Sequence, residues 1–187
     1  MSRIAAPPSP AGCAGLLGRE VEAGAWFAAL GEPPAPSEEQ EALRLAVGLV
    51  GASARVIWLP DPASALERIT DPGAAQWWRT EEELGARLRA AVTAAHREET
   101  VLQAQERLIP AMLEPLEGAA ARAFLRLRAP DPALAKVAAG AAARCIVQEY
   151  RRRLAGALPD HPFAAKFRLF LAGRWPLVSD GESLSVL

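Results

Sequence analysis

An all-α, single-domain bundle of about five to seven helices is what this sequence predicts, and three observations carry the expectation. Apolar residues recur at spacings of three and four through most of the chain. Asp-Pro pairs and Ser/Thr-x-x-Glu boxes stand where helices would start. One alanine-rich stretch, Asp131 to Leu158, is apolar on two sides: Leu134, Val137, Ala138, Ala141 and Cys145 share one face, and Val147, Tyr150, Leu154 and Ala157 the nearly opposite one. A helix apolar on both sides belongs in the interior, so the other elements are expected to enclose it. Asp131 and Pro132 supply its N-cap and first residue, and Pro159 ends it. The small residues around Gly140 suit close helix contacts, at a cost of about 1 kcal/mol for the glycine relative to alanine.

The 187 residues, 51% of them apolar, suffice for one ordinary core, although alanine supplies much of that apolar count. Residues 1–17 read as a flexible Pro/Gly-rich lead, 18–177 as the helical bundle and 178–187 as a tail. No apolar run reaches 18 residues, so no spanning helix and no membrane partner are expected. Two distant cysteines without a CxxC spacing point to a reducing compartment, hence the cytoplasm. Cys145 falls on the Leu134 face and is expected to be an inert buried thiol, whereas Cys13 is expected at the surface.

Taken in order, Gly18 to Leu30 forms a short helix turning Val21, Trp26, Phe27 and Leu30 inward, and the prolines of Gly31 to Pro36 make a linker. Ser37, with Glu38 to Gln40 behind it, reads as a capping box for a helix carrying Leu43, Ala46, Val47 and Val50 on one face. Val56 to Leu59 is strand-like in composition but has no obvious partner strand, so it is taken as a helix end. Asp61-Pro62 and Asp71-Pro72 each start a short helix. Trp77 and Trp78 point in different directions on a helix; one enters the core, and Trp78 is kept as a possible binding anchor. Thr80 to Ile109 is the clearest helix, opened by a Thr80/Glu83 box, with Leu84, Leu88, Ala91, Ala95, Glu98, Leu102, Gln105 and Ile109 in one stripe. Of its two polar members, Glu98 is expected to reach water rather than a buried partner. Leu116 to Arg128 sets Leu116, Ala120, Ala123, Phe124 and Leu127 opposite Arg122 and Arg126. In Asp160 to Leu177, Pro162 starts a helix, Phe163, Phe167, Phe170 and Leu171 form its buried stripe, and Gly173 stops it.

Charge is unevenly distributed. Residues 1–118 carry 10 basic and 17 acidic groups, and residues 119–176 carry 11 basic and 3 acidic ones. Either the halves neutralise each other when folded, which is the economical account, or the basic half receives an anionic partner.

Catalytic signatures are missing from the sequence: no Gly-rich phosphate loop, no GxSxG, no HExxH and no paired CxxC. With only two histidines, no metal site and no cofactor are expected. The preferred function is a non-enzymatic protein–protein interaction module, an adaptor, regulator or inhibitor presenting a helical face or the basic C-terminal half. Its candidate partner- or anion-binding residues are Arg122, Arg126, Arg144, Arg151, Arg152 and Trp78, with Gln148 standing between Arg144 and Arg151 on one side of their helix. Two alternatives stand beside it. One is a nucleic-acid-binding regulator using Arg122, Arg126, Arg144 and Arg151 to Arg153. The other is a small-ligand enzyme with a pocket near Glu98 and His161, where His161 lies close in sequence to Lys166, Arg168 and Arg174.

Overall fold

The computed structural model describes residues 8–71, 74–179 and 182–187, with the side chains at 74–78, 178 and 179 outside that description. The helices among the described residues are α1 (Pro10–Ala23), α2 (Pro36–Leu49), α3 (Pro62–Thr70), α4 (Ala74–Ala95), α5 (Glu98–Leu108), α6 (Pro110–Arg126), α7 (Pro132–Leu154) and α8 (Pro162–Leu171). Three short strands join them: β1 (Arg55–Trp58), β2 (Pro176–Ser179) and β3 (Ser183–Val186). The fold is mostly helical, as the periodicity required.

α7 is the central rod. The Asp131 carboxylate accepts from the amides of Ala133 and Leu134, each at 2.9 Å, so the helix starts where the sequence placed it. It packs against α1, α4, α6 and α8, burying Leu134, Ala138, Cys145 and Ile146 together with Tyr150 and Leu154. The enclosure is incomplete along one edge. Val137, expected in the core, is 48% exposed, and Gly140 faces open space, so that glycine serves no close contact. The close approach occurs elsewhere: a Cβ on Gly48 of α2 would collide with the Pro162 ring that opens α8.

α8 follows the expected pattern in its phenylalanines, whereas Leu171, expected in the same buried stripe, is only partly buried. Phe163, Phe167 and Phe170 are buried, and Phe170 meets Phe27 edge-on at 6.0 Å between ring centroids. Gly173 ends the segment at φ +92, where a Cβ would come within 2.7 Å of the Ala29 amide nitrogen.

Several expectations are corrected. α1 begins at Pro10, with Ser9 Oγ accepting from Gly12 N at 3.2 Å, inside the segment read as a flexible lead. Cys13 therefore lies in the core at 1% exposure, not at the surface. Ala35, not Ser37, caps α2, and the Glu38 carboxylate reaches back to the Ala35 amide at 2.8 Å. The long Thr80–Ile109 helix is two: Thr80 lies within α4, and extended backbone at Arg97 turns the chain into α5. Glu98 and Glu99 then occupy the first turn of α5, where acids are favoured by the helix dipole.

Residues 56–58 form a strand, not a helix end. β1 pairs in parallel with β3, Arg55 opposite Ser183 and Trp58 opposite Val186, and β2 closes the other side antiparallel, giving the order β1-β3-β2. Being central, β3 is buried throughout, its two serines included.

Four ion pairs among the described residues join the two charge halves. Arg153, Lys166, Arg168 and Arg174 of the basic half pair with Glu20, Glu81, Glu41 and Glu38 of the acidic half. No helix among the described residues is long and apolar enough to cross a membrane.

Candidate functional site

Between the C-terminal end of α1, the turn that follows it and one side of α6 lies an open groove of about 430 Å³. Its floor is apolar because the turn is tightly folded. Gly24 closes α1 and the Trp26 indole donates to the Val21 carbonyl at 2.6 Å, which turns the ring under the helix end. Trp26 packs on Phe170 at 5.9 Å and Phe167 at 6.3 Å. Phe27 holds a left-handed φ of 63, a conformation disfavoured for an aromatic residue. Five hydrogen bonds hold it there: Ala25 N donates to Leu171 O at 2.8 Å, Ala29 N to Gly173 O at 3.3 Å, and Arg126 Nη2 to Ala28 O at 2.7 Å and to Phe27 O and Leu30 O, each at 3.4 Å.

The opposite wall is the stripe Ala111, Pro115, Ala119, Arg122 and Arg126 of α6, with Met112, Leu116 and Ala123 beneath it. Small residues along the rim leave the floor open from above. Arg122 is the exception. Its guanidinium folds back over Gly118, where an added Cβ would lie 3.3 Å from Nη1, and it has no hydrogen-bond or ion-pair partner among the described residues. Glu22 lines the other side. An apolar trough with one uncommitted cation at its rim suits a chain segment with a greasy side and an acidic residue. No known family, curated protein or solved structure matches this chain.

The other sequence candidates are distributed. Arg144 and Arg151 line a separate cleft between α4 and α7, with Gln148 between them as the spacing implied. Arg151, Arg152 and Arg153 diverge. Arg151 donates to Gln105 Oε1 at 3.2 Å; Arg152 binds Glu149 at 2.7 and 2.9 Å and the Ala157 carbonyl at 2.7 Å; Arg153 forks onto Glu20 at 2.6 and 2.7 Å. Arg152 is thus a structural ligand at the end of α7, not a surface cation. The Trp78 side chain lies outside the described residues.

Glu98 and His161 are not brought to one pocket. Glu98 is exposed and lines a small cavity beside Arg89, Gln105 and Arg151. His161 caps α8, its Nδ1 accepting from Phe163 N at 3.1 Å, and burial followed by the charge of Arg152 draws its pKa down. Lys166, Arg168 and Arg174 diverge to separate acids, so no basic cluster forms around the imidazole.

Sequence reading missed two buried polar centres. One is Glu81, met by Lys166 Nζ and by Gln148 Nε2 at 2.6 Å. The other is Glu149, held by Arg152 and Arg153. The single local signal was charge inside otherwise apolar runs, as for Lys166 between Ala165 and Phe167.

Proposed function

We propose that this protein is a non-enzymatic interaction module that receives an amphipathic, acid-bearing helix of another protein in the groove between α1 and α6. The observation that carries the reading is the pairing of an aromatic-floored groove with the unpartnered Arg122 at its rim. α6 rises roughly 22 Å from Ala111 to Arg126, about four turns, which gives a partner helix a matching length. Its small-residue rim permits close approach, the helix-in-groove mode of recognition. A partner carboxylate reaching Arg122 would fix the register through a charge-assisted bond. Protein is favoured over nucleic acid because Arg126, Arg152, Arg153 and Arg174 already serve internal carbonyls and acids, so these four do not form a basic track for a phosphate backbone. Two unpaired thiols in the core support a reducing, cytoplasmic setting.

The test is affinity capture from the native cell at low salt, with and without nuclease. Wild type is expected to retain one stoichiometric protein. Ala119→Arg, which blocks the rim, should lose it, and Arg122→Glu should bind about tenfold more weakly, a loss of about 1.4 kcal/mol, with the thermal midpoint unchanged. Equal capture by Ala119→Arg, or loss of the partner on nuclease treatment, would refute the reading.

A further inference from the structure

A second depression, of about 530 Å³, lies along the other half of α1, where that helix packs on α5. Spacing puts it on the same side of the seam as the groove. Along α1, Ala11, Gly15, Gly18 and Glu22 recur at intervals of four, three and four, which is one helical face. The facing wall repeats the pattern: Gln103 and Arg107 in α5, then Ala111, Pro115, Ala119 and Arg122 in α6, each three or four residues on from the last.

The two depressions meet at Gly18. An added Cβ there would stand 3.9 Å from Met112 Cε in the groove and 4.0 Å from Leu108 Cδ1 in the second depression, so the α1 wall raises no side chain between them. Leu108 and Met112 are themselves buried and form floor. On the facing wall Ile109 keeps helical dihedrals, φ −72 and ψ −50, so the chain passes from α5 into α6 without a loop standing in the way.

Each half carries an exposed arginine with no hydrogen-bond or ion-pair partner among the described residues, Arg107 in the second depression and Arg122 in the groove. They are about 15 positions apart, roughly 22 Å along the helices. The acid in the two linings is Glu22 on the α1 wall, exposed and likewise unpaired. Both walls are helices whose backbone groups are already paired, so an occupant has to satisfy its own backbone, and a helix does so.

We propose, resting on the groove reading above, that the partner helix runs on past Gly18 into the second depression. It is one amphipathic helix of about six to seven turns, with a carboxylate for Arg122 and a second, about 14 or 15 positions away, for Arg107.

The probes are dye-labelled synthetic peptides titrated with the full chain at low salt and read by fluorescence anisotropy. One is an amphipathic helix of about 25 residues with a Leu/Ala face and two glutamates about 14 positions apart, and the other has about 12 residues and a single glutamate. The long peptide is expected to bind wild type at least tenfold more tightly than the short one. Arg107→Glu and Gly15→Arg should each weaken its binding about tenfold with the thermal midpoint retained, because Arg107 is exposed and a Cβ on residue 15 meets nothing within 4 Å. Ala119→Arg separates the extension from the groove reading. Long-peptide binding lost in Ala119→Arg but unchanged in Gly15→Arg and Arg107→Glu would overturn the extension and leave the groove standing; binding unchanged in Ala119→Arg would overturn both. Equal affinity for the two peptides, or a wild-type dimer in sedimentation that Gly15→Arg dissociates, would overturn the extension as well.

Discussion

Lys166 of α8 donates to Glu81 of α4 inside the protein, with both side chains sealed from solvent and Gln148 of α7 holding the same carboxylate oxygen. The contact ties three helices together around one charge. Moving both ions out of water costs several kcal/mol each, so the pair adds little net stability, whereas removing one partner strands the other. Lys166→Met should therefore destabilise the fold by about 3–5 kcal/mol, and Glu81→Met/Lys166→Met should recover a large part of that loss. Urea denaturation of the two single variants and the double variant measures the cycle. A double variant no more stable than either single one would show that something other than the stranded charge sets the cost.

Acid should weaken the fold in two stages. The Glu81 carboxyl is pushed up by burial but pulled further down by the Lys166 charge and by hydrogen bonds from Lys166 and Gln148, so its folded pKa lies below the ordinary value. A depressed carboxylate contributes stability above its unfolded pKa, about 4.3, and that contribution fades as pH falls through the folded value. His161 acts higher on the scale. It is neutral when it accepts from Phe163 N, and burial together with Arg152 lowers its pKa, so its contribution is present above about 6.5 and declines as pH drops below that. Thermal midpoints from pH 8 to pH 3 should show a shallow decline starting near 6.5 and a steeper one below about 4.3. Asparagine caps helices without titrating, so His161→Asn should remove the first limb and leave the second. A first limb that persists in that variant would assign it to another group.

Local signals placed most of the helices, and partnership at a distance decided what they left open. Asp61, Asp131 and Pro162 start helices as read, because a cap needs only the next three residues. The β1 strand was unassignable because its hydrogen bonds go to β3, more than 120 residues later, through a parallel pairing that leaves no hairpin signature. Lys166 looked like part of a basic cluster for the same reason: its acid lies 85 positions earlier, on another helix. The rim residues Arg122 and Arg126 were legible as a pair one turn apart. Their floor was not, since Trp26 reaches it through a left-handed turn at Phe27 that composition does not reveal.

The groove itself depends on a residue outside it. Arg174, 3% exposed, donates to the carbonyls of Ala29, Glu32 (2.7 Å) and Pro33 (2.8 Å) and to Glu38 at 2.9 and 3.1 Å, and its guanidinium lies 5.6 Å from the Trp58 ring centroid. A planar fork can serve these divergent acceptors, whereas a lysine has three donors on one point and would leave carbonyls unanswered. Arg126 grips the same turn from the other side, so Arg174 and Arg126 together hold the backbone that carries Trp26 and Phe27. Arg174→Lys should therefore loosen residues 25–33 while the helices stay formed, at a cost of about 1.5–3 kcal/mol for each charged hydrogen bond lost. Hydrogen exchange reads this directly: the amides of Ala25 and Ala29, which donate to Leu171 and Gly173, should exchange faster in the variant, and amides within α7 should not. If the groove binds its partner through a preformed floor, the same variant should weaken capture without touching a groove residue. Unchanged exchange at Ala25 and Ala29 would show that Arg126 alone holds the turn.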